Sequence, residues 1–212
     1  MSARYAGMER ADSHAIDPHK WLSVPVECGC VFVRDGTLLR QTFKLVPPYI
    51  QVEEGKGFGG LPWYAGYGFH QSRGFQALKT WMSLAHAGRV GIEQTIRRHN
   101  DLAHYLAGRI ENHPRLELIV APQLSIVCIR YGSASTRTDA ADADALNKTL
   151  MERVQASGEA FVTQAMLGDM FALGANVLHF STTETDLDAL VEVVVCIGDQ
   201  LVAERAGSGV AP

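Results

Sequence analysis

The chain has 212 residues, 47% apolar and 20% charged, an ordinary globular composition for one large domain or two small ones. Its 19 Lys and Arg against 23 Asp and Glu give a net charge of −4, which argues against a general nucleic-acid binder. It has no apolar run long enough to cross a bilayer and no apolar signal segment within Met1–Arg10. Its four cysteines (Cys28, Cys30, Cys128, Cys196) are too few for a disulfide scaffold, so a soluble, cytoplasmic chain is expected.

In chain order, Val31-Phe32-Val33 reads as a buried strand and Arg34-Asp35-Gly36 as a turn. From Val46 to Gly74 the periodicity stops. Prolines and glycines alternate there with aromatics, including Tyr49, Trp63, Tyr64, Tyr67 and Phe69, as in a lid or binding loop. Leu78, Trp81, Met82 and Ala85 follow the spacing of one buried helical stripe. Gly88 and Gly91 interrupt it, and Ile92, Ile96, His99, Ala103, Leu106 and Ile110 carry a second helix that Pro114 stops.

Leu116–Val120 and Ser125–Tyr131 read as a hairpin, and Leu146, Leu150 and Val154 as a helix ending before Gly158. Short strands are expected at Ala160–Thr163 and Val177–Phe180. Thr183-x-x-Asp186 opens a last helix with Leu187, Leu190, Val194, Ile197 and Leu201 on its apolar stripe. The expected organisation is residues 1–112 as the end of a larger domain, with a mobile loop at about 46–74 and connecting helices. A small α/β domain follows over 113–205, then a disordered tail over 206–212.

The densest polar cluster is Asp12-Ser13-His14-Ala15-Ile16-Asp17-Pro18-His19-Lys20-Trp21. A partly buried lysine among such groups can serve as an amine nucleophile. No metal site is expected, because His14, His70 and His179 lack ligand spacing. The glycine-rich stretch 55–68 matches no nucleotide cradle.

Asp12-Ser13-x-x-x-Asp17-Pro18-His19-Lys20-Trp21 resembles the cofactor-lysine motif of the group II pyridoxal-phosphate-dependent amino-acid decarboxylases, the aromatic-L-amino-acid decarboxylase-like enzymes. Later stretches resemble the family in the same order: Leu22–Arg34, Arg40-x-x-Phe43 with Pro48-Tyr49-Ile50, Ser72-Arg73, Leu78-Lys79-x-Trp81, Arg97-Arg98-His99 and Thr182-Thr183-Glu184-x-Asp186. The resemblance covers about residues 4–205.

It implies an α/β chain, the C-terminal part of a fold type I (aspartate-aminotransferase-like) enzyme, comprising the end of the large domain and the small domain. The implied cofactor is pyridoxal 5'-phosphate and the implied reaction is decarboxylation of an L-amino acid. Lys20 would bond covalently to the cofactor aldehyde, His19 would hydrogen-bond its phosphate, and Asp17 would lie near that phosphate. Tyr49 would return a proton to the substrate, and Ser72 would reach the phosphate of a dimer partner. Ser72 reads alternatively as an N-cap for a helix beginning near Phe75, and Tyr49 as a packing residue of a Pro-rich turn.

Two departures from the family accompany this. No segment ahead of Lys20 supplies the aspartate for the pyridine nitrogen or the histidine that stacks on the ring. Leu173-Gly174 also stands where the family has Leu-Arg, with His179 near its Asn. The expected state is therefore a fragment inactive alone, working as a homodimer or with a complementary decarboxylase chain. The alternative is a non-catalytic remnant or interaction module.

Overall fold

The computed structural model describes residues 5–45, 64–132 and 140–207. Tyr49 and Trp63 lie outside them. The chain forms two compact units, Met1–Ala87 and Gly88–Pro212.

In the first unit, Ser13–Ile16 (β1) pairs antiparallel with Cys30–Val33 (β2), with His14 opposite Phe32 and Ile16 opposite Cys30. Arg34 ties the entry and exit of this ribbon together. Its amide donates to the Asp12 carbonyl (2.8 Å), and its guanidinium donates to the carbonyls of Glu9 (2.7 Å) and Ala11 (2.9 Å). The expected turn at Arg34–Gly36 leads into a short helix that the sequence pattern did not announce, Thr37–Phe43 (α1). Asp35 explains its start, because Oδ1 accepts from both the amide (2.9 Å) and the hydroxyl (2.7 Å) of Thr37. Those two donors stabilise the carboxylate and lower the Asp35 pKa.

The strand at Val31–Val33 forms, but it is not buried: Val31 is 55% and Phe32 57% exposed. A two-stranded ribbon has only one neighbour per strand, so its faces are covered only if another layer packs on it. The helix Gln76–Glu111 (α2) shows the same departure. Leu78, Trp81 and Met82 fall on a helical stripe as expected but remain exposed, Trp81 at 66%. Gly88 interrupts α2 with φ 62° and ψ 172°, a conformation that favours glycine, whereas Gly91 stays helical.

The second unit has a conventional core. Leu116–Val120 (β3), Ile126–Tyr131 (β4), Thr163–Leu167 (β5) and Met170–Asn176 (β6) form an antiparallel sheet in the order β3-β4-β6-β5. The expected hairpin of β3 and β4 is present. The expected strands at Ala160–Thr163 and Val177–Phe180 are instead one hairpin, β5 and β6, turning at Gly168 (φ 61°) and Asp169. The pattern misled because Phe171 to Ala175 are all buried, so β6 shows no alternation of apolar and polar residues.

Ala140–Ser157 (α3) packs on β6 and on Glu184–Gly207 (α4), which also lies against β4. The core joins Leu102, Leu106 and Ile110 of α2, Val127 and Ile129 of β4, Leu150 and Val154 of α3, Leu173 of β6, and Leu187, Val194 and Leu201 of α4. Asn147, fully buried on α3, completes the sheet where β4 outruns its β6 partner. Its side chain accepts from the Tyr131 amide (2.8 Å) and donates to the Tyr131 carbonyl (3.1 Å) and the Ala143 carbonyl (2.9 Å). The start of α4 follows the sequence reading: Asp186 Oδ2 accepts from the Thr183 amide and hydroxyl, each at 2.8 Å. The helix runs to Gly207, into the stretch expected to be disordered.

Candidate functional site: the Asp17–Lys20 turn

Between β1 and β2 the chain makes a tight turn, the Lys20 amide donating to the Asp17 carbonyl at 2.9 Å. Asp at the first position and Pro at the second are the residue types such a turn selects, because proline fixes φ there. The chain then folds back, with the Ser23 amide on the Lys20 carbonyl (3.0 Å) and the Val24 amide on the Pro18 carbonyl (3.1 Å). Pro18 and Val24 are buried beneath the turn, which presents Lys20 outward.

Lys20 Nζ lies 2.7 Å from Asp17 Oδ2, with the lysine side chain 61% exposed. The sequence suggested a partly buried amine, but the described residues leave it open. The hydrogen bond and the charge of Lys20 hold the Asp17 carboxyl below its usual range, so Asp17 is ionised at neutral pH.

His19 is fixed from below. Its Nδ1 lies 2.6 Å from the Cys28 carbonyl and 3.4 Å from the Cys28 amide. One nitrogen cannot both donate to the carbonyl and accept from the amide. The shorter contact decides: Nδ1–H donates to Cys28 O, and Nε2 is the ring nitrogen left to face outward chemistry. Cys28, 4% exposed, is itself anchored, with Sγ 3.1 Å from Thr80 Oγ1 on α2.

The turn therefore brings together three of the five residues singled out in the sequence: Asp17, His19 and Lys20. Ser72 is exposed in the segment before α2, and no hydrogen bond joins it to the turn among the described residues. The N-cap position of α2 is Phe75, three residues further on, so the capping alternative for Ser72 does not hold. Tyr49 falls outside the described residues. No sequence pattern pointed to Cys28 or Thr80, whose contacts join positions nine and 52 residues apart.

A separate concavity of about 480 Å³ in the second unit is lined by Arg109, His113, Glu192, Cys196 and Asp199 among others. Two of its charged residues are paired with neighbours outside the lining: Arg109 with Asp188 at 2.8 Å, and Asp199 with Arg115. No group of three or more His, Cys, Asp or Glu suited to a metal ion occurs among the described residues. No described helix is long and apolar enough to cross a membrane.

An outward primary amine beside an anchored imidazole defines a site that could take an aldehyde carrying an anionic group. The family model of the pyridoxal-dependent decarboxylase conserved domain matches residues 1–132, and the chain belongs to that family. Over 194 residues it is 31% identical to an aromatic-L-amino-acid decarboxylase of Bacillus atrophaeus, covering 91% of this chain and 40% of the relative. A tryptophan decarboxylase of Camptotheca acuminata is 32% identical over 170 residues, 79% of this chain and 33% of the relative. The crystal structure of Oryza sativa TDC with PLP and tryptamine superposes with a TM-score of 0.80 at 26% identity, covering 93% of this chain and 40% of that one.

The chain thus has part of the fold type I α/β architecture and spans between a third and two fifths of the length of these relatives. The cofactor of the family is pyridoxal 5'-phosphate. The residues present fit it: Lys20 offers an accessible amine to an aldehyde, and the His19 ring, tethered through Nδ1, leaves Nε2 free of any hydrogen bond among the described residues.

Proposed function

We propose that this chain carries the cofactor-lysine segment and C-terminal part of a pyridoxal-phosphate-dependent amino-acid decarboxylase. The observation that carries the reading is the Asp17–Lys20 turn, which presents Lys20 outward beside a tethered His19 within the stretch matched by the family. When bound, pyridoxal phosphate supplies a conjugated ring that accepts the electron pair released as CO₂ departs.

The chain's own residues do the rest. Lys20 would hold the cofactor through its aldehyde carbon. His19 would hydrogen-bond the phosphate from Nε2, which donates only when the ring carries a proton on both nitrogens, Nδ1–H being given to the Cys28 carbonyl. Asp17, whose ionised carboxylate would repel a phosphate, acts as the counter-ion of Lys20. The Tyr49 phenol returns a proton to Cα of the product, and Ser72 reaches the phosphate of a partner protomer. The assignment of residues 1–112 to the large domain, with a catalytic loop at 46–74, and of 113–205 to the small domain belongs to the same reading.

The exposed apolar surface of the first unit, with Val31, Phe32, Trp81 and Met82 uncovered, supports completion by further protein. That protein would be a longer parent chain, a complementary chain or a second protomer. Aromatic amino acids are the favoured substrates, in line with what the relatives' names state.

The test is CO₂ release from aromatic L-amino acids by the completed enzyme. Activity abolished by Lys20→Ala supports the reading, whereas normal turnover by that variant rejects it. A completed protein that is inactive as wild type favours the non-catalytic interaction module.

A further inference from the structure

We propose that cofactor capture at the Asp17–Lys20 turn is proton-coupled: His19 takes a second ring proton from solvent as the phosphate binds, so the grip weakens as pH rises. The inference rests on the reading of His19 as a phosphate-side group and adds how that group is regulated.

The contact beneath the ring carries it. His19 Nδ1 lies 2.6 Å from the Cys28 carbonyl oxygen, a distance at which two lone pairs would repel, so Nδ1 holds a proton in either charge state of the ring. A neutral imidazole has only one N–H, and that one is committed to the loop. Nε2 makes no hydrogen bond among the described residues and then presents a lone pair. A phosphate monoester above its second ionisation, at about pH 6, likewise has only lone pairs to offer. The two can join only through a proton, and the imidazolium supplies it as a charge-assisted Nε2–H donor.

The surroundings leave the incoming anion as the deciding charge. The Asp17 carboxylate senses the ring's charge but is paired with Lys20 Nζ at 2.7 Å, so the two largely offset each other. Beneath the ring stands the Cys28 thiol, its sulfur 3.1 Å from Thr80 Oγ1, and the group through which α2 meets this loop, Thr80, is uncharged.

The sign follows. An ordinary imidazole is mostly neutral above about pH 6.5. The free ring therefore lacks the proton that the bound ring needs, and one proton enters with each anion. Affinity should fall as pH rises above neutrality, by at most about tenfold per pH unit for one linked proton.

The test uses the full chain and pyridoxine 5'-phosphate, whose hydroxymethyl group cannot bond covalently to Lys20. Affinity is measured by calorimetry across the alkaline side of neutrality, in two buffers of different ionisation enthalpy so that proton uptake is counted. Wild type should bind more weakly with each step up in pH and take up close to one proton per ligand. His19→Gln carries a side-chain amide that donates without titrating, so its affinity should be flat with pH and its proton uptake absent. Pyridoxine, which lacks the phosphate, should show no such pH dependence with wild type.

A flat wild-type profile without proton uptake overturns the proposal, as does a slope that persists in His19→Gln. If His19→Gln does not fold, ¹⁵N-histidine labelling of wild type decides: both His19 ring nitrogens should become protonated on binding, and a bound ring that stays neutral overturns it. A chain that binds no pyridoxine 5'-phosphate also overturns it. Borohydride trapping of pyridoxal phosphate on Lys20 then shows separately whether the proposed function stands.

Discussion

Lys20 Nζ sits 2.7 Å from the Asp17 carboxylate three residues earlier, and both side chains face solvent across a Pro-containing turn. The pair lowers the Asp17 pKa chiefly through the hydrogen bond and then through the lysine charge. A carboxyl with a lowered folded value contributes its interaction above its ordinary pKa and loses it as pH falls through the lowered one. Lys20→Met should therefore bring the Asp17 titration back up toward the usual carboxylate range. A ¹³C-detected titration of the carboxyl carbon reads this directly, and an unmoved midpoint would show that the pair does not persist in solution.

His99 on α2 is fully buried, with Nε2 3.2 Å from the His179 carbonyl and Nδ1 without a partner among the described residues. Burial pushes its pKa down. The backbone bond opposes this, and the neighbouring charges of Arg98 and His179 add to the lowering. The unfolded chain then binds a proton before the folded one does, so stability is full above about pH 6.5 and declines as pH falls toward the lowered value. Denaturant midpoints of the second unit should fall on acidification, by at most about 1.4 kcal/mol per pH unit for this one group. His99→Gln should flatten that slope. Part of it will remain, because burial and the nearby arginines lower His113 too.

Gly198 on α4 is a glycine for steric reasons. A Cβ there would stand 2.3 Å from the ring of Tyr131 on β4. Gly198→Ala should force helix and sheet apart and cost about 1–3 kcal/mol, seen as a thermal midpoint lower by several degrees. Gly108 on α2, where an added Cβ meets nothing within 4 Å, provides the contrast. Gly108→Ala should stabilise the fold by about 0.5–1 kcal/mol of helix propensity, seen as a slightly higher midpoint.

Arg130 of β4 is 2% exposed and donates to Asp144 Oδ1 of α3 at 2.7 Å; the same oxygen accepts from the Phe171 amide at 3.2 Å. Asp144→Ala leaves a buried guanidinium without its counter-ion and should cost about 3 kcal/mol, measured by denaturant unfolding. Arg130→Met together with Asp144→Leu should recover most of that loss, because replacing both charges removes the desolvation cost.

Local signals were legible in the sequence. Thr183 and Asp186 announce the start of α4, Leu150 and Val154 mark the buried side of α3, and the apolar runs around Pro122 give the β3–β4 hairpin. Burial was not legible where it depends on what packs above. The spacing of Val31, Phe32, Trp81 and Met82 correctly gives a strand and a helix, yet their exposure is set by covering layers that periodicity cannot report. β6 escaped because a strand buried on both faces loses its alternation. At the site, Asp17, His19 and Lys20 were legible because a tight turn joins near neighbours. Cys28 and Thr80 were not, because their roles rest on contacts made by the folded loop.

The most direct test of the central claim is borohydride reduction of the chain titrated with pyridoxal phosphate, followed by tryptic mapping. The account predicts a single labelled peptide running from Ala11 to Arg34, because trypsin cannot cut at a modified Lys20. Labelling spread over Lys44, Lys56, Lys79 and Lys148, or the absence of label on Lys20, would contradict it.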